Sequence, residues 1–496
     1  MHEGCAVLDW AASGAMALTG PPGGPPSASP APALALLRTV TGELAAVTGE
    51  TGDPVRADPA ELVSGRAALA GFTRGGAVSA GGSSFLLRAA DGWCAVTLSR
   101  PDDVAAVPAV IGALGLDPGC PGDPDGPGRP GSLGRPGSLG GSGSLGGSDE
   151  AGELVAGQAR ARAALAAAAL TRPAADVAAA GQLLGIPAAA LPAQTGPPAQ
   201  TGPPADPAIA GAQPRAAGAP LSGAPLAGVW PPWRATRIAP PRPGARLAGA
   251  VVADLSSMWA GPLCARLLGL AGADVIKVES PRRPDGARAG NREFFDWLHA
   301  GHRTLTADFG TREGRAALAA LLRTADVVIE ASRPRALAAA GLAPGMLPHP
   351  DGQVWLSITG YGQRAPDLVA FGDDAAVAGG LVGWAGQAVP EPVFCADAIA
   401  DPLAGACGAL AVARSRAAGG GERIDLPMRD VAAAFAPARL DHGGHRLRAD
   451  GSVSCPRTGG RQAVLPPRPP VPAARAAEPG ADTAAVLSWL AERGPC

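Results

Sequence analysis

Lysine is almost missing from this chain of 496 residues: Lys277 stands alone, and arginine supplies the rest of the positive charge. Basic and acidic residues nearly balance, 41 against 43, for a formal net charge of −2. Neither a nucleic acid nor an anionic membrane therefore has an electrostatic footprint to bind. No two of the eight cysteines have C-x-x-C spacing, and none stands at zinc-ligand spacing from a histidine along the chain. No metal is expected, and the DHGGH run at 441–445 reads as a flexible loop. The cysteines read as free thiols of a reducing, cytoplasmic compartment. The start of the chain carries Glu3 and Asp9 but no basic n-region, so no signal peptide is expected. Every apolar run long enough to span a membrane is interrupted by Arg, Asp or Pro.

One more absence concerns the most informative stretch, Val251–Glu279. It reads as strand, tight loop, helix and strand. Val251–Leu255 is a short β-branched run, Gly261-Pro262 punctuates it, and Leu263, Leu267, Leu268 and Leu270 recur at helical spacing. Gly272 closes the helix, and Asp274–Val278 is the second strand. Glu279 ends that strand where a ribose-binding acid would sit, yet the dinucleotide fingerprint G-x-G-x-x-G is missing. A nicotinamide-dependent oxidoreductase is the reading this unit suggests and the missing glycines oppose.

Glycine (71) and proline (53) together make up a quarter of the chain and concentrate in two places. Residues 117–150 repeat RPGSLG and read as a Gly/Pro/Ser linker, and 192–245 repeat AQTGPP and read as a Pro-rich linker. Residues 1–116 before them read as globular but irregular. Strands are expected at Ser84–Leu87 and Trp93–Leu98 around an Asp91-Gly92 turn, with a helix over Pro101–Leu114. Residues 151–191 read as helix broken at Arg172-Pro173. Beyond the second linker, strands at Arg303–Ala307, Val327–Glu330 and Val354–Ile358 alternate with helices, one of them capped by Thr311. Such alternation predicts an α/β fold, with a Rossmann-like large domain on a mostly parallel sheet over 246–435. A smaller α+β domain and a C-terminal return segment over 436–496 complete the expected organisation.

The series VVADLSSMWAGPLCARLLGLAGADVIKVE, HAGHRTLTADFGTREGRAAL, ADVVIEASRPRALAAAGL and WLSITGYGQ resembles the class III CoA-transferases, a family that includes formyl-CoA and carnitine CoA-transferases and the related α-methylacyl-CoA racemases. The resemblance runs from about 247 to 430. Residues 1–195 resemble a degenerate second half of such an enzyme, placed in front and read as non-catalytic support.

The family's nucleophilic aspartate opens a helix after a Gly-rich segment. In GGLVGWAGQAVPEPVFCADAIADPLAGACGAL it falls on Asp401, as an N-cap before Pro402, with Asp397 as the competitor. The resemblance implies that this carboxylate attacks an acyl-CoA thioester, forms a mixed anhydride and then carries CoA as an aspartyl thioester. Gly379, Gly380, Gly383 and Gly386 become candidate oxyanion donors. CoA itself is the substrate, with no tightly bound cofactor. Its implied contacts are Met258, Trp259 and Ala260, then Ala307, Asp308, Phe309 and Gly310, then Ser332, Arg333 and Asp373, with Arg282 or Arg283 on a phosphate. Trp259 stands where formyl-CoA transferase has glutamine, and Ala331-Ser332-Arg333 replaces an Asn-Phe-Arg or Asn-Phe-Gly triplet. Where the racemase branch has its histidine, the chain reads Gly372-Asp373-Asp374, so racemisation is not expected. His299 and His302 read as structural. The implied partners are an acyl-CoA and a carboxylic acid. Family members are interlocked homodimers, an arrangement that the reordered halves either imitate within one chain or still require. A CoA-ester-binding homologue with impaired chemistry is the alternative.

Overall fold

A computed structural model describes residues 5–28, 30–117, 147–193, 230–386, 389–436 and 444–493. The chain opens with three helices, α1 (Ala6–Ala12), α2 (Ala31–Thr51) and α3 (Pro59–Ala70). Leu34, Leu37, Val40 and Leu44 form the buried stripe of α2. Asp58 caps α3 by accepting the Ala60 N–H, Pro59 takes the first turn, and Gly71 ends the helix at φ 68°. This region looked irregular in sequence because alanines occupy both faces of α2 and blur its stripe.

Strands β1 (Ser84–Arg88) and β2 (Trp93–Thr97) form the expected antiparallel hairpin. Helices α4 (Pro101–Ala113), α5 (Gly147–Ala169) and α6 (Ala174–Leu183) follow, and β3 (Ala188–Ala190) pairs with β2. Leu87, Val96, Ile111, Leu165 and Val177 share one small core. Both low-complexity repeats lie outside the described residues.

The large sheet begins inside the segment expected to be linker, at β4 (Arg234–Arg237). It continues through β5 (Val251–Asp254), α7 (Ala260–Leu270), β6 (Asp274–Glu279), α8 (Arg292–His299), β7 (Arg303–Thr306), α9 (Arg312–Thr324) and β8 (Val327–Glu330). Next come α10 (Pro334–Ala339), β9 (Val354–Thr359), α11 (Gly372–Ala378), the β10 (Gly383–Ala385) and β11 (Glu391–Val393) hairpin, α12 (Ala400–Ala417) and β12 (Glu422–Pro427). The strand order is β4-β12-β9-β8-β5-β6-β7, parallel throughout except for β4 on the edge. Apolar residues dominate the middle of inner strands such as Val251–Asp254 and Val327–Glu330, as in parallel sheets covered on both faces. Thr311 caps α9 as expected, accepting the Gly314 N–H at 3.0 Å.

Helix α12 is built of small residues, which lets it lie close to α7. A Cβ added at Gly405 would stand 2.8 Å from the Ala260 carbonyl and 2.9 Å from Leu263 Cβ. Helix α13 (Met428–Phe435), the short strands β13 (Arg446–Leu447), β14 (Ser452–Ser454) and β15 (Arg461–Ala463), and α14 (Thr483–Glu492) complete the chain. No described helix is long and apolar enough to cross a membrane.

The cores divide the chain differently from the expected boundaries. Leu8, Leu34, Leu44 and Val63 share the main core with Leu263, Leu356 and Leu403, so α1–α3 belong with the large sheet. Residues 85–114 pack instead with 161–188. The expected unit 1–116 is therefore split between two cores.

Candidate active site

The carboxylates of α11, of the loop after β11 and of the first turn of α12 converge where the small sheet meets the large one. Asp373 and Asp374 start α11 and are buried. Ser84 Oγ donates to Asp373 Oδ2 at 3.0 Å, and the Ala398 N–H donates to Asp373 Oδ1 at 3.1 Å. Asp374 Oδ1 accepts from Thr97 Oγ1 at 3.2 Å and from the Phe371 N–H at 2.9 Å. Burial pushes Asp374 up to about 8, so it is mostly protonated at neutral pH. Asp373 thus ties strand β1 through Oδ2 to the loop before α12 through Oδ1.

That loop is strained. Ala396 has φ 54° and Ala398 φ 41°, left-handed conformations that cost a residue with a Cβ of order 1–3 kcal/mol each. The amide of Ala396 donates to Thr19 Oγ1 at 3.0 Å and that of Ala398 to Asp373, so both sides of the turn are tied down. Between them, Asp397 is 1% exposed. Its Oδ1 accepts from Arg66 Nη1 at 3.0 Å, while its Oδ2 is buried without a hydrogen-bond partner. Burial raises the Asp397 carboxyl to about 6 against the opposing pull of Arg66. Arg66 comes from α3, and its guanidinium lies 5.2 Å from the Trp259 ring and 5.7 Å from the Phe294 ring.

Asp401 does not cap α12, as the sequence suggested. Ile399 holds the N-cap position, and Asp401 is the second residue of the helix. It is partly exposed, and its carboxylate accepts the Gly372 N–H. Its Oδ2 lies 2.4 Å from where a Gly372 Cβ would stand, so only glycine fits there. Burial first, then Asp373 and Asp397, push it up to about 7, with Arg66 opposing. The acids also raise one another: Asp373 acts on Asp374, Asp397 and Asp401, and Asp397 acts on Asp401.

The expected oxyanion glycines stand at close-packed or turn positions. A Cβ on Gly379 would meet Ala432 Cβ and the Ala433 nitrogen of α13 at 2.6 Å. Gly380 and Gly386 sit at φ 80° and 96°, and Gly383 packs against Val393 and Thr19. They shape the α11–α13 contact and the β10–β11 hairpin.

The expected CoA contacts lie at the C-terminal ends of the parallel strands, where ligands of open α/β sheets bind. Met258, at φ 75°, is 42% exposed, whereas Trp259 and Ala260 are buried. Trp259 meets the Phe294 ring edge-on at 5.5 Å. Asp308 closes its own turn by accepting the Gly310 N–H at 2.8 Å and pairs with Arg282 at 3.0 Å. Ala307 is buried, Phe309 is half-buried, and Gly310 and Ser332 are exposed. Arg333 is crowded by Arg335, Arg100 and Arg283, which together with burial push its pKa down. Among the described residues, Arg283, Arg333 and Arg335 form no ion pair. Loop residue Asp367, near Arg333, helps line a cleft of about 540 Å³ with Gln182, Leu183, Tyr361 and Leu368.

Glu279 is not free for a ribose. Arg288 grips both its oxygens, and the Asp285 N–H donates to Oε1 at 2.9 Å. Lys277, the lone lysine, is buried 2.8 Å from Asp285 and 3.7 Å from Asp254. His299 and His302 are buried with their Nδ1 atoms 3.4 Å apart. Burial and the Lys277 charge push both down, His302 to about 3, so they are neutral core groups.

Sequence reasoning missed Arg66 and Arg100, which lie in the front portion of the chain. It also missed a meeting of Cys5, His445 and Cys455 at the other end of the α1 region. No spacing rule connects residues so far apart.

A model of the family described as CoA-transferase family III matches residues 247–473. The succinate–glutarate CoA-transferase of Agrobacterium fabrum is 34% identical over 38% of this chain and 52% of its own length. The succinyl-CoA–D-citramalate CoA-transferase of Chloroflexus aurantiacus is 33% identical over 38% of this chain and 49% of its own. The chain thus spans about half the length of these curated relatives. A solved CAIB/BAIF family protein from Brucella suis is 30% identical over 39% of this chain and 55% of its own, with a TM-score of 0.34. The similarity to CoA-transferase family III thus covers residues 247–473, the portion of the chain that carries the large sheet.

Proposed function

We propose that the chain transfers CoA from an acyl-CoA to a carboxylic acid, and that Asp397, rather than the Asp401 favoured by the resemblance, carries the group. The observation that carries this reading is the strained Ala396–Ala398 turn, which holds one carboxylate between two left-handed residues and against Arg66. Strain so over-determined is typical of reacting groups. Burial raises both carboxyls, Asp397 to about 6 and Asp401 to about 7, and Arg66 opposes the rise on each, favouring the charged form that a nucleophile needs.

In this mechanism the free Oδ2 of Asp397 attacks the thioester carbonyl and CoA thiolate leaves, giving a mixed anhydride. The thiolate attacks the aspartyl carbonyl, releases the first acid and forms an aspartyl-CoA thioester. An acceptor carboxylate then attacks that thioester, and the returning thiolate takes up the acceptor acyl group and frees Asp397. Burial of the loop favours this chemistry because water would hydrolyse the anhydride. At 1% exposure, Asp397 meets substrate only when side chains around it shift. The unpaired Arg283, Arg333 and Arg335 suit the CoA phosphates. Arg66 comes from the same chain, which supports a site assembled without a second subunit's arginine.

The test is exchange between a panel of acyl-CoAs and isotope-labelled carboxylic acids, followed by mass spectrometry. The wild type should form labelled acyl-CoA, D397N none, and D401N a reduced amount. Full activity of D397N rejects the assignment. Binding of CoA esters without exchange under any donor favours the impaired homologue.

A further inference from the structure

Three ligand atoms converge at a group of residues that the carboxylate cluster does not include. Cys5 stands just before α1, His445 just before β13 and Cys455 just after β14. Their sulfur and nitrogen atoms all lie within 4.8 Å of one another, and Cys5 Sγ is 3.1 Å from His445 Nε2. The three residues are 2%, 7% and 1% exposed. None of the other described cysteines, Cys94, Cys264, Cys395 and Cys407, belongs to such a group; each is buried and pushed up toward the inert thiol.

We propose that Cys5, His445 and Cys455 bind one Zn²⁺ ion that fastens the start of the chain to the β13–β15 sheet. This departs from the expectation that no metal is held; of the 441–445 run, residues 441–443 lie outside the described residues. Two sulfurs and an imidazole make a soft donor set that suits zinc and excludes magnesium and calcium. Tetrahedral zinc separates sulfur from sulfur by about 3.8 Å and sulfur from nitrogen by about 3.6 Å. The cluster, with its ligand atoms within 4.8 Å of one another, is on that scale, so side-chain shifts of up to about 1 Å admit the ion. Charge supports the site as well. Two thiolates neutralise Zn²⁺ beside a neutral imidazole, so the buried complex carries no net charge. The fourth tetrahedral position is left to a ligand outside this triad.

The ion would supply what this corner lacks. The strands β13–β15 are two or three residues long, and of their residues only Ser452 and Val453 are buried. So small a sheet cannot hold itself together. Its link to α1 includes a single backbone bond, from Leu465 N–H to the Ala11 carbonyl at 2.9 Å. A cross-link between residues 440 apart would restrain the unfolded chain over nearly its whole length.

The test uses the full chain, purified under reducing conditions, stripped with a chelator and titrated with Zn²⁺ or Co²⁺. Elemental analysis should find one zinc per chain. Co²⁺ should give a thiolate charge-transfer band, and zinc should raise the melting temperature. C455S and H445A should bind at least tenfold more weakly and lose the melting shift, while C94S keeps both. Because either variant can lose its fold, the wild type with and without ion is the primary comparison. Failure of the wild type to take up stoichiometric metal overturns the proposal. So does full retention of metal in both variants. A Cys5–Cys455 disulfide in reduced-and-refolded protein that binds no metal does so too.

Discussion

Replacing Arg66 with methionine tests the link between the front portion of the chain and the chemistry. The guanidinium sits 3.0 Å from Asp397 Oδ1, with 26% of its side chain exposed. Asp397 stands at about 6 with that charge in place. An adjacent arginine typically lowers an aspartate by 1–3 units, so R66M should lift Asp397 to roughly 7–9. The ionised fraction at pH 7 then falls from about 0.9 to between about 0.5 and 0.01. The carboxylate attacks only when charged, so the sign is definite. The variant loses about twofold to a hundredfold of its rate at pH 7 and recovers toward alkaline pH. The assay is kcat/KM for CoA exchange from pH 5 to 9, with circular dichroism to confirm folding. R66K should move the midpoint back toward the wild type. An R66M profile whose midpoint coincides with the wild type's would refute the argument, because the charge pair would then have no hold on the reacting group.

Three further outcomes follow from the same geometry. K277M leaves Asp254 and Asp285 buried without their cation; stability in urea should fall by about 3–5 kcal/mol. G379A should lower stability by about 1–3 kcal/mol through its 2.6 Å clash with α13, yet leave kcat of the folded enzyme unchanged, whereas an oxyanion donor would show a rate defect. The double variant R283A/R333A should raise KM for acyl-CoA on the order of tenfold, or ~1.4 kcal/mol, with little change in kcat. Added salt should narrow that gap.

The large sheet was legible because its strands are continuous β-branched runs and its helices carry leucine stripes or capping residues such as Thr311. The front helices were not, since alanine blurs the contrast between faces in α2. Edge strand β4 was hidden among prolines and arginines, and nothing in RATR announces a buried surface because all four residues are exposed. In the site, the sequence pointed to Asp401, and the proposed carrier Asp397 stands four residues before it. Asp401-Pro402 looks like a helix start, and local capping logic cannot see that the helix begins at Ala400. Backbone strain at Ala396 and Ala398 leaves no mark in an alanine-rich sequence. Arg66 and the Cys5–His445–Cys455 group were invisible for another reason. Their partners lie 331 and 440 residues away, and only the fold brings them together.

The most direct measurement is to locate the acyl and CoA carrier. The protein is incubated with a reactive acyl-CoA, quenched, treated with hydroxylamine to convert any aspartyl thioester to a hydroxamate, and digested for tandem mass spectrometry. The hydroxamate should fall on Asp397, persist in D401N and vanish in D397N. A hydroxamate on Asp401 instead, or exchange activity with no modified aspartate anywhere in the chain, contradicts the account.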